Sequence, residues 1–269
     1  MSEVVLATNR GGVVHGRALD GKRGRFVISA DEVHVWRASL ERPPAAVARL
    51  RPLLAPDEQR RADRFRFERD RSRFIVGRGL LRVLLGRYLG LEPEQLRFQY
   101  GAFEKPRLAQ DGPWFNVSHS GTIALYAVST AGELGIDVEL DDADFAQERI
   151  AERFFSSSEV DVLRSLPEAL QPRAFLTCWT RKEAFIKARG DGLSLALNSF
   201  DVSLDPNAPA ALLRTAWSED EPRQWRMQDL SDRDGGYIAA VTMRGSRWRV
   251  VQREFFDTIE DNEPEQEKS

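Results

Sequence analysis

Glu183 and Lys187 stand four residues apart in the stretch Trp179-Thr-Arg-Lys-Glu-Ala-Phe-Ile-Lys187. On a helix this spacing puts a carboxylate and an ammonium on one face, beside Trp179 one turn earlier. Held on a rigid support, such a pair can bind a metal ion and a phosphate together, which makes it a candidate phosphoryl-transfer site. Taken alone, the spacing is also that of the commonest helix-stabilising ion pair, worth only ~0.2–0.5 kcal/mol. Lys187 lies in the last turn, ahead of Gly190 as a C-cap, where a cation suits the helix dipole without any chemistry. A second cluster has to decide.

That cluster is Glu133-Leu-Gly-Ile-Asp-Val-Glu-Leu140. Its apolar residues alternate, so Leu134, Ile136, Val138 and Leu140 share one face of a strand and Asp137 and Glu139 share the other. Two like charges about 7 Å apart repel, and a divalent cation with a taste for hard oxygen ligands, such as Mg²⁺, offsets that repulsion. With Glu183 the three acids complete a plausible octahedral site, waters and phosphate oxygens filling the rest. The plainer reading of Asp-x-Glu is a strand whose polar face meets water.

Trp114-Phe-Asn-Val-Ser-His-Ser-Gly121 is a strand end running into a turn. Ser118, His119 and Ser120 can offer hydroxyl, imidazole and backbone donors to a phosphate oxygen, although a lone histidine beside a turn more often bonds local backbone. Lys105 sits in a loop stiffened by Pro106, just before this strand. Ten arginines between Arg60 and Arg87 face five acids between Asp57 and Asp70, an excess that suits phosphate recognition or a solvated helix surface laced with ion pairs. His15 and His34 have no such setting. The chain has no glycine-rich P-loop, no His-Glu-x-x-His and no Gly-x-Ser-x-Gly, which removes several competing chemistries.

The elements that must carry these residues follow from pattern. Order is expected from Phe26, with a strand over 31–37 closed by Pro43-Pro44 and two or three helices over 45–89. Strands are expected over 95–100, 114–118, 123–129 and 134–140. Helical patterns return from about Phe145 to Arg189, with Ser156-Ser-Ser-Glu159 as a capping box and Pro172 at a first helical position. A second β-rich region over 200–251 completes the order. Helices then strands, twice over, predicts an α+β protein of two comparable halves.

The ends are expected to be mobile: residues 1–25 are rich in Gly and Arg without periodicity, and 253–269 form an acidic tail without apolar partners. The lone cysteine, Cys178, excludes an intramolecular disulfide and a thiolate metal cluster, and reads as a small buried hydrophobe. No apolar run approaches the ~18 residues that span a bilayer, and no secretory signal pattern is seen. With a net charge of −3 the expectation is a cytoplasmic protein without affinity for membrane or nucleic acid.

Read in order, Phe115-Asn-Val-Ser-His-Ser120, Gly135-Ile-Asp-Val-Glu139 and Trp179-Thr-Arg-Lys-Glu-Ala-Phe-Ile-Lys187 resemble the three signature motifs of 4′-phosphopantetheinyl transferases. Lys105-Pro106 and Arg153-Phe-Phe-Ser156 match as well, and the likeness runs from roughly Asp31 to Val250. It is to the larger, single-chain type that modifies carrier proteins of peptide and polyketide synthases, so a monomer is implied, serving secondary metabolite or lysine biosynthesis.

The resemblance implies two pseudo-symmetric α/β halves with antiparallel sheets, 26–130 and 131–252, and an active site in the cleft between them. The first half contributes to coenzyme A binding and the second carries the metal-binding and catalytic motifs. Asp137, Glu139 and Glu183 would hold Mg²⁺, with Mn²⁺ as an alternative, on the pyrophosphate of coenzyme A. Ser118, His119, Lys105 and Lys187 would contact its phosphates, joined by Arg73 with Arg61 or Arg64. The implied reaction is holo-carrier-protein synthesis: a serine hydroxyl of an apo acyl, peptidyl or aryl carrier protein attacks the β-phosphate of coenzyme A and releases adenosine 3′,5′-bisphosphate. Asp137, Glu183 and Lys187 would be catalytic, with Glu183 taking the serine proton directly or through water, or a metal-bound hydroxide doing so instead. Phe154, Phe155 and the turn after them are candidates for carrier docking. Two other classes fit the same residues: a coenzyme A-binding regulatory protein without turnover, and a metal-dependent phosphohydrolase.

Overall fold

The computed structural model describes residues 25–101, 105–141, 147–190, 192–232 and 234–255. The segment 1–25 apart from Arg25, the tail 253–269 beyond Phe255, and Phe145, where a helical pattern is expected to begin, lie outside the described residues.

Strand β1 (Glu32–Ser39) is followed by helices α1 (Pro44–Leu50), α2 (Pro56–Ala62) and α3 (Glu68–Leu89). Strands β2 (Phe98–Tyr100), β3 (Pro106–Leu108), β4 (Trp114–Ser120), β5 (Ile123–Ser129) and β6 (Leu134–Leu140) come next. Helices α4 (Gln147–Phe154), α5 (Ser157–Ser165) and α6 (Gln171–Arg189) precede β7 (Phe200–Val202), β8 (Leu212–Thr215), β9 (Trp225–Asp229), β10 (Tyr237–Arg244) and β11 (Arg249–Glu254). Blocks of helices and antiparallel sheets make the class α+β, as the order of patterns predicts. One expected strand, 95–100, starts late. Pro93 opens a 3₁₀ turn over Pro93–Gln95, the Gln95 side chain accepts from the Glu92 N–H at 2.9 Å, and only from Phe98 does the chain pair as a strand.

The chain divides into two compact units. One comprises the described residues of 1–27, 36–96 and 251–269 and is built on α1 to α3. Its core holds Leu50, Ile75, Leu80, Leu84 and Leu85. Buried Glu58 accepts from Arg82 Nε at 2.6 Å and also pairs with Arg78, so part of the arginine excess is committed to structure.

The other unit comprises 28–35 and 97–250. One sheet runs in the order β11-β1-β5-β4, and this unit's share of β1 and β11 is residues 32–35 and 249–250. A second runs β6-β10-β9, so β6 ends it. Val33, Val35, Leu125 and Ala127 of the first meet Leu134, Ile136, Val138, Ala239 and Val241 of the second in one apolar core. Helix α6 begins with Pro172 in its first turn and ends at Gly190, whose φ of 80° provides the left-handed C-cap. Ser156 caps α5, its hydroxyl accepting from the Glu159 N–H while the Glu159 carboxylate accepts from the Ser156 N–H at 2.8 Å. Glu159 also pairs with fully buried Lys182 at 2.8 Å. Cys178 is buried beside them, and burial, then the Glu159 charge, pushes its thiol well up, so it packs as a small hydrophobe.

Candidate active site

Gly135 decides how the strongest motifs meet. A Cβ on it would fall 2.0 Å from the Ala184 carbonyl oxygen and 2.4 Å from the Ala188 nitrogen. Only a bare α-carbon lets the backbone of α6 lie directly on β6. The face of β6 carrying Gly135, Asp137 and Glu139 therefore meets protein rather than water, and Asp137 is only 3% exposed.

Lys187 uses this closeness. Its ammonium donates to Asp137 Oδ1 at 2.6 Å, to Ser118 Oγ at 3.1 Å and to the Ile136 carbonyl at 3.3 Å. Glu183, the expected i to i+4 neighbour, has no ion-pair partner among the described residues and points its half-buried carboxylate into the same electrostatic field. Burial raises its pKa first, the Asp137 and Glu139 charges add to the rise, and Lys187 opposes it. Glu139 is raised by burial and by Asp137, against a hydroxyl bond from Ser120 and the charge of Lys187. Three carboxylates thus sense one another around a single ammonium.

Among the described residues no group of three or more His, Cys, Asp or Glu side chains is placed to hold a metal ion. Asp137 is turned to Lys187 and Glu139 to Ser120. The residues nevertheless fit a hard dication. Asp137 Oδ2 is buried without any hydrogen-bond partner, and two neighbouring carboxylates are held at raised proton affinity, first by burial and then by the nearby Asp137 charge.

Strand β4 supplies the opposite wall through alternate side chains. Asn116 Oδ1 accepts from the Ile136 N–H at 2.9 Å, Ser118 donates to Asp137 Oδ1 at 2.8 Å, and Ser120 donates to Glu139 Oε2 at 2.8 Å. His119, one step out of phase, points to the exposed side. Loss of water beside the neighbouring protein, then the Lys187 charge, lower its pKa, against a hydrogen bond with its own backbone and the Asp137 charge. The tight turn to β5 uses Gly121 at φ 54°, where a Cβ would strike Leu140 Cδ1 at 2.3 Å.

Lys105 is brought to the same place with a different set of partners. Its ammonium donates to the Lys187 carbonyl at 2.6 Å, to the Leu134 carbonyl at 3.3 Å and to Glu133 Oε2 at 3.3 Å, and burial lowers its pKa against the opposing pull of Glu133. A recess of about 220 Å³ opens beside it, bounded by Arg107, Trp114, Phe115 and Glu133. Arg61, Arg64 and Arg73 belong to the other compact unit. Arg61 and Arg64 are exposed, with Arg61 stacked 5.4 Å over Phe74, whereas Arg73 donates to Glu41 at 2.9 Å.

The family can now be read from known proteins. Residues 133–242 match the model of the 4′-phosphopantetheinyl transferase superfamily, and residues 34–131 match that of the 4′-phosphopantetheinyl transferase N-terminal region. The 4′-phosphopantetheinyl transferase HetI of Nostoc sp. is 40% identical over 232 residues, 85% of this chain and 94% of that protein. The chain belongs to the 4′-phosphopantetheinyl transferase superfamily. The transferase Sfp of Bacillus subtilis is 32% identical over 61% of this chain and 72% of its own length. The human L-aminoadipate-semialdehyde dehydrogenase-phosphopantetheinyl transferase is 31% identical over 74% of this chain and 70% of its own length. Membership supports an enzyme that uses coenzyme A over a regulatory protein or a phosphohydrolase.

The sequence left Gly135 and Asn116 without a role and assigned Ser120 to a phosphate oxygen, whereas its hydroxyl bonds Glu139. Gly135 stands inside a quoted motif, yet its meaning is a backbone approach that only the fold reveals. Asn116 and Ser120 share the strand parity of Ser118, and that alternation was the available signal.

Proposed function

We propose that this chain transfers the 4′-phosphopantetheine arm of coenzyme A to a serine hydroxyl of an apo acyl, peptidyl or aryl carrier protein, releasing adenosine 3′,5′-bisphosphate. The observation that carries the reading is the meeting of Asp137, Glu139, Glu183 and Lys187 where α6 crosses β6. Asp137, Glu139 and Glu183 would hold Mg²⁺ or Mn²⁺, which when bound supplies positive charge to the pyrophosphate and its leaving oxygen.

The chain's own groups do the rest. Lys187, on a rigid helix end with its ammonium 2.6 Å from Asp137, would offer that ammonium to a non-bridging phosphate oxygen. Ser118, Lys105 and His119 would contact the same phosphates, a role supported for Ser118 and Lys105 by their bonds to Asp137 and to the Lys187 carbonyl. The serine oxygen bonds to the β-phosphorus, the bond to the bridging oxygen breaks, and the nucleotide leaves with the electron pair. Glu183 receives the serine proton, directly or through water, and its raised proton affinity suits that task. Arg61, Arg64 and Arg73 are candidates for further phosphate contacts, supported for Arg61 and Arg64 by exposed guanidiniums without a carboxylate partner among the described residues.

The functional division at 130/131 is part of this proposal, supported by family models that meet at residues 131 and 133. A cytoplasmic monomer without affinity for membrane or nucleic acid is proposed on the net charge of −3, the lone buried cysteine and described helices too short or polar to cross a bilayer.

Incubation with coenzyme A, Mg²⁺ and a panel of apo carrier proteins tests the reading by mass spectrometry. One serine gains the mass of the arm. No gain on any carrier class, with folded protein, overturns it.

A further inference from the structure

Ser120 has a double engagement that the reaction itself does not use. Its hydroxyl proton goes to Glu139 Oε2 at 2.8 Å, while its oxygen accepts from the Leu140 N–H at 3.2 Å. The two bonds have a fixed sense, because an amide can only donate and the serine has one proton. The Leu140 amide holds the oxygen, and the hydroxyl in turn aims at one oxygen of Glu139. Among the described residues the Glu139 carboxylate accepts no other hydrogen bond, so the Ser120 hydroxyl is the polar contact that orients it. Two residues back, Ser118 does the same to Asp137, but there Lys187 shares the task.

We infer that Ser120 is a positioning residue for the metal site, holding the Glu139 carboxylate so that one oxygen faces the dication shared with Asp137 and Glu183. This rests on the proposed Mg²⁺ role of those acids. The warrant is the cost of orienting a ligand. A free Glu side chain samples several rotamers, and a metal that must immobilise it binds more weakly by the ordering involved. A hydroxyl donor leaves the other carboxylate oxygen unbonded and available. His119, between the two serines, has the opposite strand parity and is turned away from the acids, so the alternation in Ser118-His-Ser120 separates aiming of the carboxylates from any contact made by the imidazole.

The test compares Ser120→Thr, which keeps the hydroxyl, with Ser120→Val, which has nearly the same shape without it. Magnesium chloride is titrated calorimetrically into full-length protein saturated with coenzyme A, and the Mg²⁺ concentration for half-maximal transfer is measured separately. The Val variant is expected to bind Mg²⁺ roughly tenfold to a hundredfold more weakly than the Thr variant, the usual effect of losing an outer-shell partner. Excess Mg²⁺ should restore its kcat, which a folding defect would not permit. Equal Mg²⁺ affinity in the two variants, or a loss of kcat that excess Mg²⁺ does not repair, overturns the role of Ser120. If the unaltered protein takes up no Mg²⁺ at all, the metal reading of Asp137, Glu139 and Glu183 falls together with it.

Discussion

The ammonium of Lys187 lies 2.6 Å from Asp137 Oδ1 and thereby joins the last turn of α6 to the middle of β6. Fifty residues separate the two in the chain, and the pairing overrides the local one with Glu183. A buried carboxylate without its cation is far more costly than a half-exposed one, so the mobile lysine goes to Asp137. Glu183 is left without an ion pair among the described residues, and burial first, then the Asp137 charge, raises its proton affinity.

Replacing Lys187 by Ala should cost at least ~10²-fold in transfer, since positioned electrostatic groups contribute about that much. It should also lower the melting temperature in the absence of Mg²⁺, because Asp137 then lies buried and unpaired. A single-turnover assay and thermal melts with and without Mg²⁺ check the two parts.

Glu183→Gln and Asp137→Ala should each lose transfer by ~10²-fold or more while the protein stays folded. Near-normal rates of mass gain on a carrier, in variants with unchanged circular dichroism, would remove both residues from the machinery.

Gly135→Ala should be worse for the fold than its size suggests. The added methyl meets backbone atoms of α6, which cannot rotate away as a side chain can, so destabilisation of ~1–3 kcal/mol or more is expected. Denaturant unfolding measures it, and loss of coenzyme A binding should accompany it because α6 is lifted from β6.

The raised carboxyls give a pH dependence with a definite sign. In the window between the usual carboxylate range and their raised values, the folded protein binds more protons than the unfolded chain. Stability attributable to Glu139 and Glu183 therefore falls as pH rises through that window. A dication relieves the repulsion only once they are ionised, so Mg²⁺ should raise the melting temperature more at about pH 7.5 than at about pH 5. Equal shifts at both values would contradict this.

Lys105→Met should loosen the end of α6. It removes charge-assisted bonds to the Lys187 and Leu134 carbonyls from a mostly buried side chain, for which a loss of ~1.5–3 kcal/mol is typical. Faster amide exchange over Lys187 to Gly190 is the specific sign. Unchanged exchange with weaker coenzyme A affinity would instead make Lys105 a phosphate ligand only.

Much of this was legible in the chain because the local signals are strong. Alternation in Leu134-Gly-Ile-Asp-Val-Glu139 marks a strand whatever it packs against, and Ser156 with Glu159 caps a helix by local chemistry alone. The α+β order follows from such signals, whereas the late start of β2 turns on Pro93, whose ring favours a 3₁₀ turn over an extended run. The site was legible in its residue types but not in its bonds. That Lys187 prefers Asp137, and that Lys105 caps a carbonyl of α6, depend on distances between segments remote in sequence. Gly135 is silent in any pattern of charge or hydropathy, because its contribution is the absence of an atom.

Strand β6 ends its sheet, and a bare strand edge invites another chain to add on. Here the amides of Ile136 and Leu140 are taken by Asn116 and Ser120, and the carbonyls of Leu134 and Ile136 by Lys105 and Lys187. The same side chains therefore also occupy part of that edge. Substitutions made to probe turnover at Ser120, Lys105 or Lys187 should be accompanied by solubility measurements, since each also opens part of a template for intermolecular β-pairing.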